Sequence, residues 1–274
     1  MSAATDFAKL LTLSPAEALD YLAGRGDLTK TFSWQDLWQE EHAQQFTVSR
    51  LARLDLLQAL RDSITRSVQG DLSRRDWMRD AEELLTDAGW WGTKAVTDAL
   101  TDEIVFTKFD PARLKLIYDT NTRQAYSAGL WERIDRNKKT HPYVRYITSN
   151  DDRVRASHRP WHNLTLPADD SFWKTHWPPN GWRCRCRVMS MSQREFDKGK
   201  APDGSALNDL APEVVMRDYL NKRTGEVTQV PAGIDPGFAY NPGAARQSAL
   251  QGLVDSKLRG ASPDLGDAAR KDGL

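Results

Sequence analysis

The sequence predicts an α+β protein with a mostly helical N-terminal half, a small loop-rich α+β domain with short strands, and an extended C-terminal tail. Three observations carry this. Helix start signals punctuate the chain as far as Asp110-Pro111, Tyr143 to Thr148 is a run rich in β-branched and aromatic residues, and proline and glycine crowd Val230 to Gly243.

The elements follow in order. Ser14-Pro15-Ala16-Glu17 supplies a capping hydroxyl, a proline at the first helical position and a glutamate that can reach back, and Gly24 stops that helix. Ser33-Trp34-Gln35-Asp36 opens a second one in the same way. From about His42 to Val68 the apolar residues Val48, Leu51, Leu54, Leu57, Leu60, Ile64 and Val68 recur every three or four positions, which predicts one long amphipathic helix. Ser73 and Asp76 cap the next, with Trp77, Ala81, Leu84, Leu85 and Ala88 on a stripe that ends at Gly89. Asp110-Pro111 then starts a helix through Leu114, Ile117 and Ala125 to about Ile134. The tryptophans Trp34, Trp38, Trp77, Trp90 and Trp91 fit a core or a partner interface.

Tyr143 to Thr148 reads as the first strand and Arg183 to Met189 as the second, joined by a connection with prolines at 160, 167, 178 and 179. The organisation expected is a helical docking region at 1–110, a signature domain at 111–200 and a tail at 201–274. The Pro- and Gly-rich run from Val230 to Gly243 should lie along another surface, and residues from about Ala261 should be disordered without a partner.

The 274 residues are enough to bury a core without staples, and two cysteines make no disulfide framework, so a reducing, cytoplasmic site of synthesis is expected. Neither a secretory leader nor an apolar run of about 18 residues is seen, so no membrane partner is expected. The net charge of zero conceals a basic block, because residues 123–200 hold 16 Lys or Arg against 8 Asp or Glu. Such a block suits a polyanion, an acidic protein face, or plain solvent.

Both cysteines lie in the run Trp182-Arg183-Cys184-Arg185-Cys186-Arg187. Strand alternation would place Arg183, Arg185 and Arg187 on one face, for an anion or solvent, and Cys184, Cys186 and Val188 on the other, for a core. Zinc accepts thiolate and imidazole, so Cys184 and Cys186 with His158 or His162 form a candidate site, although paired cysteine ligands normally have two residues between them. A cysteine nucleophile with His158 as base and Asp152 as its orienter is a second reading. Asp151-Asp152 and Asp169-Asp170 read as solvated loop acids. No Walker loop, Rossmann glycine pattern or His-Glu-x-x-His helix is present. The simplest account is a polar clasp: Arg153 and Arg155 bond carboxylates or carbonyls, His158 bridges loops, and Trp161, Trp173, Trp177 and Trp182 fill the interior.

Three pieces of the chain together carry a resemblance. Asp152-Arg153-Val154-Arg155-Ala156-Ser157-His158, Asp169-Asp170-Ser171-Phe172-Trp173 and Pro178-Pro179-Asn180-Gly181-Trp182-Arg183-Cys184-Arg185-Cys186 resemble the phage Mu protein F-like minor head proteins, the phage head morphogenesis domain family. The Leu114–Ala128 lead-in, the early Ser14-Pro15-Ala16-Glu17-Ala18 and Phe32-Ser33-Trp34 runs, and the late Gly233-Ile234-Asp235-Pro236-Gly237-Phe238 are similar as well.

The resemblance implies a virion component acting in head assembly at or near the portal vertex, with portal and capsid proteins as partners and phage DNA as a further contact. It implies no enzymatic activity, no catalytic residue and no small-molecule substrate, and it places the protein in the capsid, and in host cytoplasm during assembly. The toxin or transferase extensions of some members are not seen, which speaks against an effector role. Asp152, Arg153, Arg155, His158, Trp173, Pro179, Cys184, Arg185 and Cys186 are the expected structural signature. Arg183, Arg185, Arg187, Lys138 and Lys139 are the candidate contacts for nucleic acid or an acidic partner, and His158, Cys184 and Cys186 are the candidate zinc ligands. The alternatives are a metal-dependent, nuclease-like hydrolase built on His158 and the cysteines, and a zinc-stabilised nucleic-acid-binding module.

Overall fold

The computed structural model describes residues 16–260. Ser14 and Pro15, and the expected disorder from Ala261, lie outside the described residues. The fold is α+β, as predicted, and two cores are joined by one helix.

Helix α1, Ala16–Gly24, buries Ala18, Tyr21 and Leu22. A parallel pair of two-residue strands follows, β1 (Asp27–Leu28) with β2 (Gln45–Phe46). The Ser33 start signal gives only a 3-10 turn, Trp34–Asp36, closed by a capping box in which Ser33 accepts from the backbone N–H while Asp36 reaches back. The long helix expected from His42 begins later: His42 sits in a 3-10 turn, and helix α2 runs from Leu54 to Gln69. Val48 and Leu51 are buried as their spacing suggests, but from irregular backbone on either side of a turn rather than from a helix. Phe46 pairs with Leu28, and Arg50 takes a left-handed φ of 63°, so the backbone cannot continue helically there.

Helix α3, Arg74–Asp87, is capped by Ser73, which accepts from the Asp76 N–H, and it buries Trp77, Ala81 and Leu85. Between it and the next helix lies an antiparallel hairpin that the periodicity did not reveal, β3 (Gly92–Thr97) with β4 (Ile104–Phe109). Its outer face leaves Ile104 and Phe106 62% and 72% exposed, so apolar residues there signal neither helix nor core.

Helix α4, Pro111–Asn137, starts where Asp110-Pro111 predicted, with Asp110 accepting from the Arg113 N–H. Its 27 residues span about 40 Å. Leu114, Ile117, Ala125 and Ala128 belong to the first core with α1, α2 and α3, whereas Ile134 belongs to the second. Close approach on α4 depends on small residues. A Cβ on Gly129 would stand 2.9 Å from the Ala18 nitrogen, and one on Gly243 would stand 2.8 Å from the Ala128 carbonyl.

The second core is built on a three-stranded antiparallel sheet in the order β6–β5–β7, with β5 at Tyr143–Ile147, β6 at Thr165–Pro167 and β7 at Arg187–Met191. The register sets Tyr143 opposite both Pro167 and Met191. The first strand is where the sequence put it, while the second starts at Arg187 and leaves Arg183 to Cys186 in a loop. Two single-turn helices, α5 (Phe172–Thr175) and α6 (Gln193–Phe196), flank this sheet.

The chain beyond Lys200 carries more regular structure than its low hydrophobicity suggested. A hairpin, β8 (Met216–Leu220) with β9 (Val227–Pro231), is followed by helix α7, Pro242–Gly260. The Pro- and Gly-rich segment between them is irregular, as expected, and it does lie on another surface: Val230, Ile234, Phe238 and Ala239 are buried in the second core. Arg223, at the turn of this hairpin, donates Nε to Asp36 at 2.6 Å and both terminal nitrogens to Asp98, which is 2% exposed at the turn of β3–β4. The two hairpin turns are therefore tied together.

Candidate functional site

The signature residues converge on the loops around Cys184. Asn180, fully buried, accepts a hydrogen bond from the Tyr146 hydroxyl at 2.7 Å and so fixes the loop that leads to the cysteines to the middle strand β5. The Pro178-Pro179 peptide is cis, and the Pro178 carbonyl accepts from Ser127 of α4. Arg183 then takes a left-handed φ of 59°. That turn, rather than strand alternation, brings Cys184 and Cys186 to the same place.

His158 is the centre. It is 1% exposed and stacks on Trp161 with ring centroids 4.8 Å apart. Its Nε2 lies 2.8 Å from the Gly233 carbonyl, and because a carbonyl can only accept, Nε2 carries the proton. That leaves Nδ1 facing Cys184 Sγ, 3.8 Å away, and Cys186 Sγ, 3.6 Å away. Gly233 has φ +90°, which only glycine adopts freely, and a Cβ there would come within 3.1 Å of Ser157 and Trp161.

The two thiols are free and no disulfide joins them. They share a proton unequally. A hydrogen bond from Cys186, reinforced by His158, holds the Cys184 thiol well below the usual thiol range, and the same bond together with burial pushes Cys186 up. Desolvation raises the neighbouring Tyr146 hydroxyl well above the ordinary phenol range.

Two arginine clasps surround this cluster. Arg155 Nη2 donates to the Trp182 carbonyl at 2.9 Å and to Asp235 at 2.8 Å, and that same carboxylate oxygen accepts the Trp182 N–H at 2.9 Å. Arg185 forms a two-pronged pair with Asp151, at 2.7 and 2.5 Å, which holds the Asp151 carboxyl below the usual carboxylate range. Arg123 of α4 adds a bond to the Cys184 carbonyl at 2.8 Å. Between the clasps opens a pocket of about 210 Å³, lined by all three cluster residues and by Arg153, Arg155, Arg183 and Trp182.

The other expected residues fall in different places. Trp173 is buried, and its indole N–H donates to the Pro167 carbonyl at 2.9 Å. Asp152 is exposed, and His158 Nε2 is taken by Gly233, so Asp152 is not the orienter of His158. The Arg153 side chain is 80% exposed and reaches Asp151 at 3.4 Å. Asp151 is a clasp member rather than a solvated acid. His162 stands apart from the cluster, its ring at 3.0 Å from the Thr148 hydroxyl. Of the basic candidates, Arg183 and Lys139 are exposed, Arg187 is half-buried, Lys138 is paired with Asp135 and Asp169, and Arg185 is paired with Asp151. Sequence reasoning missed Gly233 and Asp235 as site residues; only their place in the late Gly-Ile-Asp-Pro-Gly-Phe run pointed to them.

Fold and site together define a two-core α+β protein whose second half is locked by a buried cysteine–histidine cluster and two arginine–carboxylate clasps. The family described as "Phage Mu protein F like protein" matches residues 58–189, which contain His158 and both cysteines. The chain is thus similar to the phage Mu F-like proteins over most of its length. It is 32% identical over 261 residues to "Putative capsid assembly protein F" of Escherichia phage Mu, covering 91% of this chain and 58% of that protein. It is 29% identical over 225 residues to "Mu-like prophage FluMu F protein" of Haemophilus influenzae, covering 78% and 53% respectively. The chain thus spans little more than half the length of these relatives. No solved structure matches it.

Proposed function

We propose that this chain is a minor head protein that acts in phage capsid assembly near the portal vertex, docking on the portal protein and its capsid neighbours, without catalysing a reaction. The observation that carries this is the match to the phage Mu relative named for capsid assembly, which runs through 91% of the chain and so includes both cores and not the cysteine–histidine loops alone. The cluster supports a bracing role. Both ring nitrogens of His158 are engaged, one by Gly233 and the other by the thiols.

The surface supports protein docking. Leu100, Ile104 and Phe106 on one hairpin and Leu220 and Val227 on the other are between 51% and 75% exposed, and Arg223 holds the two turns together. Residues so exposed on paired strands contribute little to the fold itself and suit a partner's apolar face. Packaged DNA is the second contact proposed, through the exposed Arg183 and Lys139 and the half-buried Arg187.

The test is affinity purification of the tagged full chain from an induced lysate, followed by identification of what accompanies it. Portal protein and prohead should co-purify, and Phe106→Arg should reduce their recovery while leaving the melting temperature unchanged. A chain absent from particles and their precursors would overturn the reading. No helix among the described residues is long and apolar enough to cross a membrane.

A further inference from the structure

We propose that His158, Cys184 and Cys186 hold a zinc ion, with a water from the adjoining pocket as fourth ligand. Their ligand atoms all lie within 4.8 Å of one another. The two nitrogen–sulfur separations, 3.8 and 3.6 Å, match the roughly 3.6 Å that zinc bond lengths and a tetrahedral angle require. The chemistry of the donor set agrees. His158 already donates Nε2–H to a backbone carbonyl, the arrangement that turns the other nitrogen's lone pair to a metal and holds the ring in place.

Charge decides between zinc and a bare thiol pair as the reason for this arrangement. Two thiolates and a neutral imidazole around Zn²⁺ sum to zero, so the ion enters a buried site without leaving net charge there. Binding releases to solvent whatever protons the thiols still hold. Without metal, the two sulfurs meet the His158 ring at 3.8 and 3.6 Å, long contacts because sulfur is a weak hydrogen-bond partner. The single residue between the cysteines is no obstacle here. The left-handed turn at Arg183 precedes them, and they lie ahead of β7, where no ladder constrains them.

The pocket of about 210 Å³ reaches all three ligands, so the fourth position is open to solvent. Around it stand Arg153, Arg155, Arg183 and Arg185, and among the described residues no carboxylate lines it. Zinc in this place links the loops carrying residues 158 and 184–186 to the segment at Gly233, which is a tie between parts of the chain far apart in sequence.

The test uses the full chain, purified reduced and without added metal. Elemental analysis should find about one zinc per chain, and chelation should lower the melting temperature until zinc alone is returned. Cobalt loaded in its place should show thiolate-to-cobalt charge-transfer absorption and the strong visible bands of a tetrahedral ion. Cys186→Ser should roughly halve that charge-transfer intensity, while Lys139→Ala, at an exposed position outside the site, should retain it. If the serine variant does not fold, the cobalt spectrum of the unaltered chain still decides. Failure of the reduced chain to take up zinc on titration, cobalt bands without thiolate character, or full zinc content in a Cys184→Ser, Cys186→Ser double variant would each overturn the assignment. None of these readouts depends on head assembly, so the two proposals fail separately.

Discussion

Arg155 and Asp235 stand 80 residues apart in the chain and 2.8 Å apart in the fold, and the carboxylate oxygen that joins them also accepts the Trp182 N–H. A single side chain near the C-terminal end of the second core therefore fixes the loop of His158 and the loop of the cysteines at once.

Asp235→Ala should cost about 1–3 kcal/mol, because it removes a charged acceptor from two part-buried donors together. Arg155→Ala should lower stability as well, and His158→Ala should do so by emptying a nearly fully buried position. Chemical denaturation with an unchanged slope is the measurement. Unchanged midpoints in all three variants would remove the clasp from the account of the fold.

Gly181→Ala should destabilise by a comparable amount, about 1–3 kcal/mol, for a steric reason. An added Cβ would lie 2.3 Å from Asp235 Oδ2 and 2.4 Å from Arg155 Nη1, inside the clasp itself. Pairing it with Asp235→Ala in a double-mutant cycle should give a clearly non-additive result, since both changes act on one contact.

Asp151→Asn should matter much less, by under about 1 kcal/mol. The Asp151–Arg185 pair is two-pronged, but its side chains are 38% and 28% exposed, and water screens such pairs strongly. Thermal melts at low and high salt should show the small difference shrinking further. A loss as large as that for Asp235 would mean that the two clasps are one network.

Acid stability provides a prediction with a definite sign. Burial pushes His176 down to about 4, whereas in the unfolded chain the ring takes its proton near 6.5. Between those values the unfolded state binds more protons, so stability is undiminished above pH 6.5 and falls as the pH drops toward 4, by up to about 3 kcal/mol. His176→Gln should remove about half of that slope in a series of melts across the window, because burial pushes His42 down to about 4 as well. A slope left unchanged by the substitution would assign the effect to another group.

What the sequence disclosed follows from how local each signal is. Ser73 and Asp110 mark helix starts correctly because a cap is written within four residues. Val48 and Leu51 misled because burial, not helicity, sets their spacing, and a turn with Arg50 at positive φ buries the same residues equally well. The hairpin at 92–109 was silent because its outward face carries Ile104 and Phe106 where solvent-facing polar residues would have shown alternation. At the site, the density of Arg, His, Cys and Trp singled out the right loops. Gly233 and Asp235 were not legible as their partners, because nothing local to a glycine or an aspartate names a contact 75 or 80 residues away.

The dependence on Gly233 and Asp235 sets a clock on synthesis. While the chain is being made, His158 and the cysteines leave the ribosome well before the carbonyl and carboxylate that secure them, so the first core can settle while the second is still missing its last residues. The thiols therefore pass through an interval of exposure in every newly made copy, and ribosomes stalled short of residue 233 should display chains whose cysteines react readily with alkylating reagents.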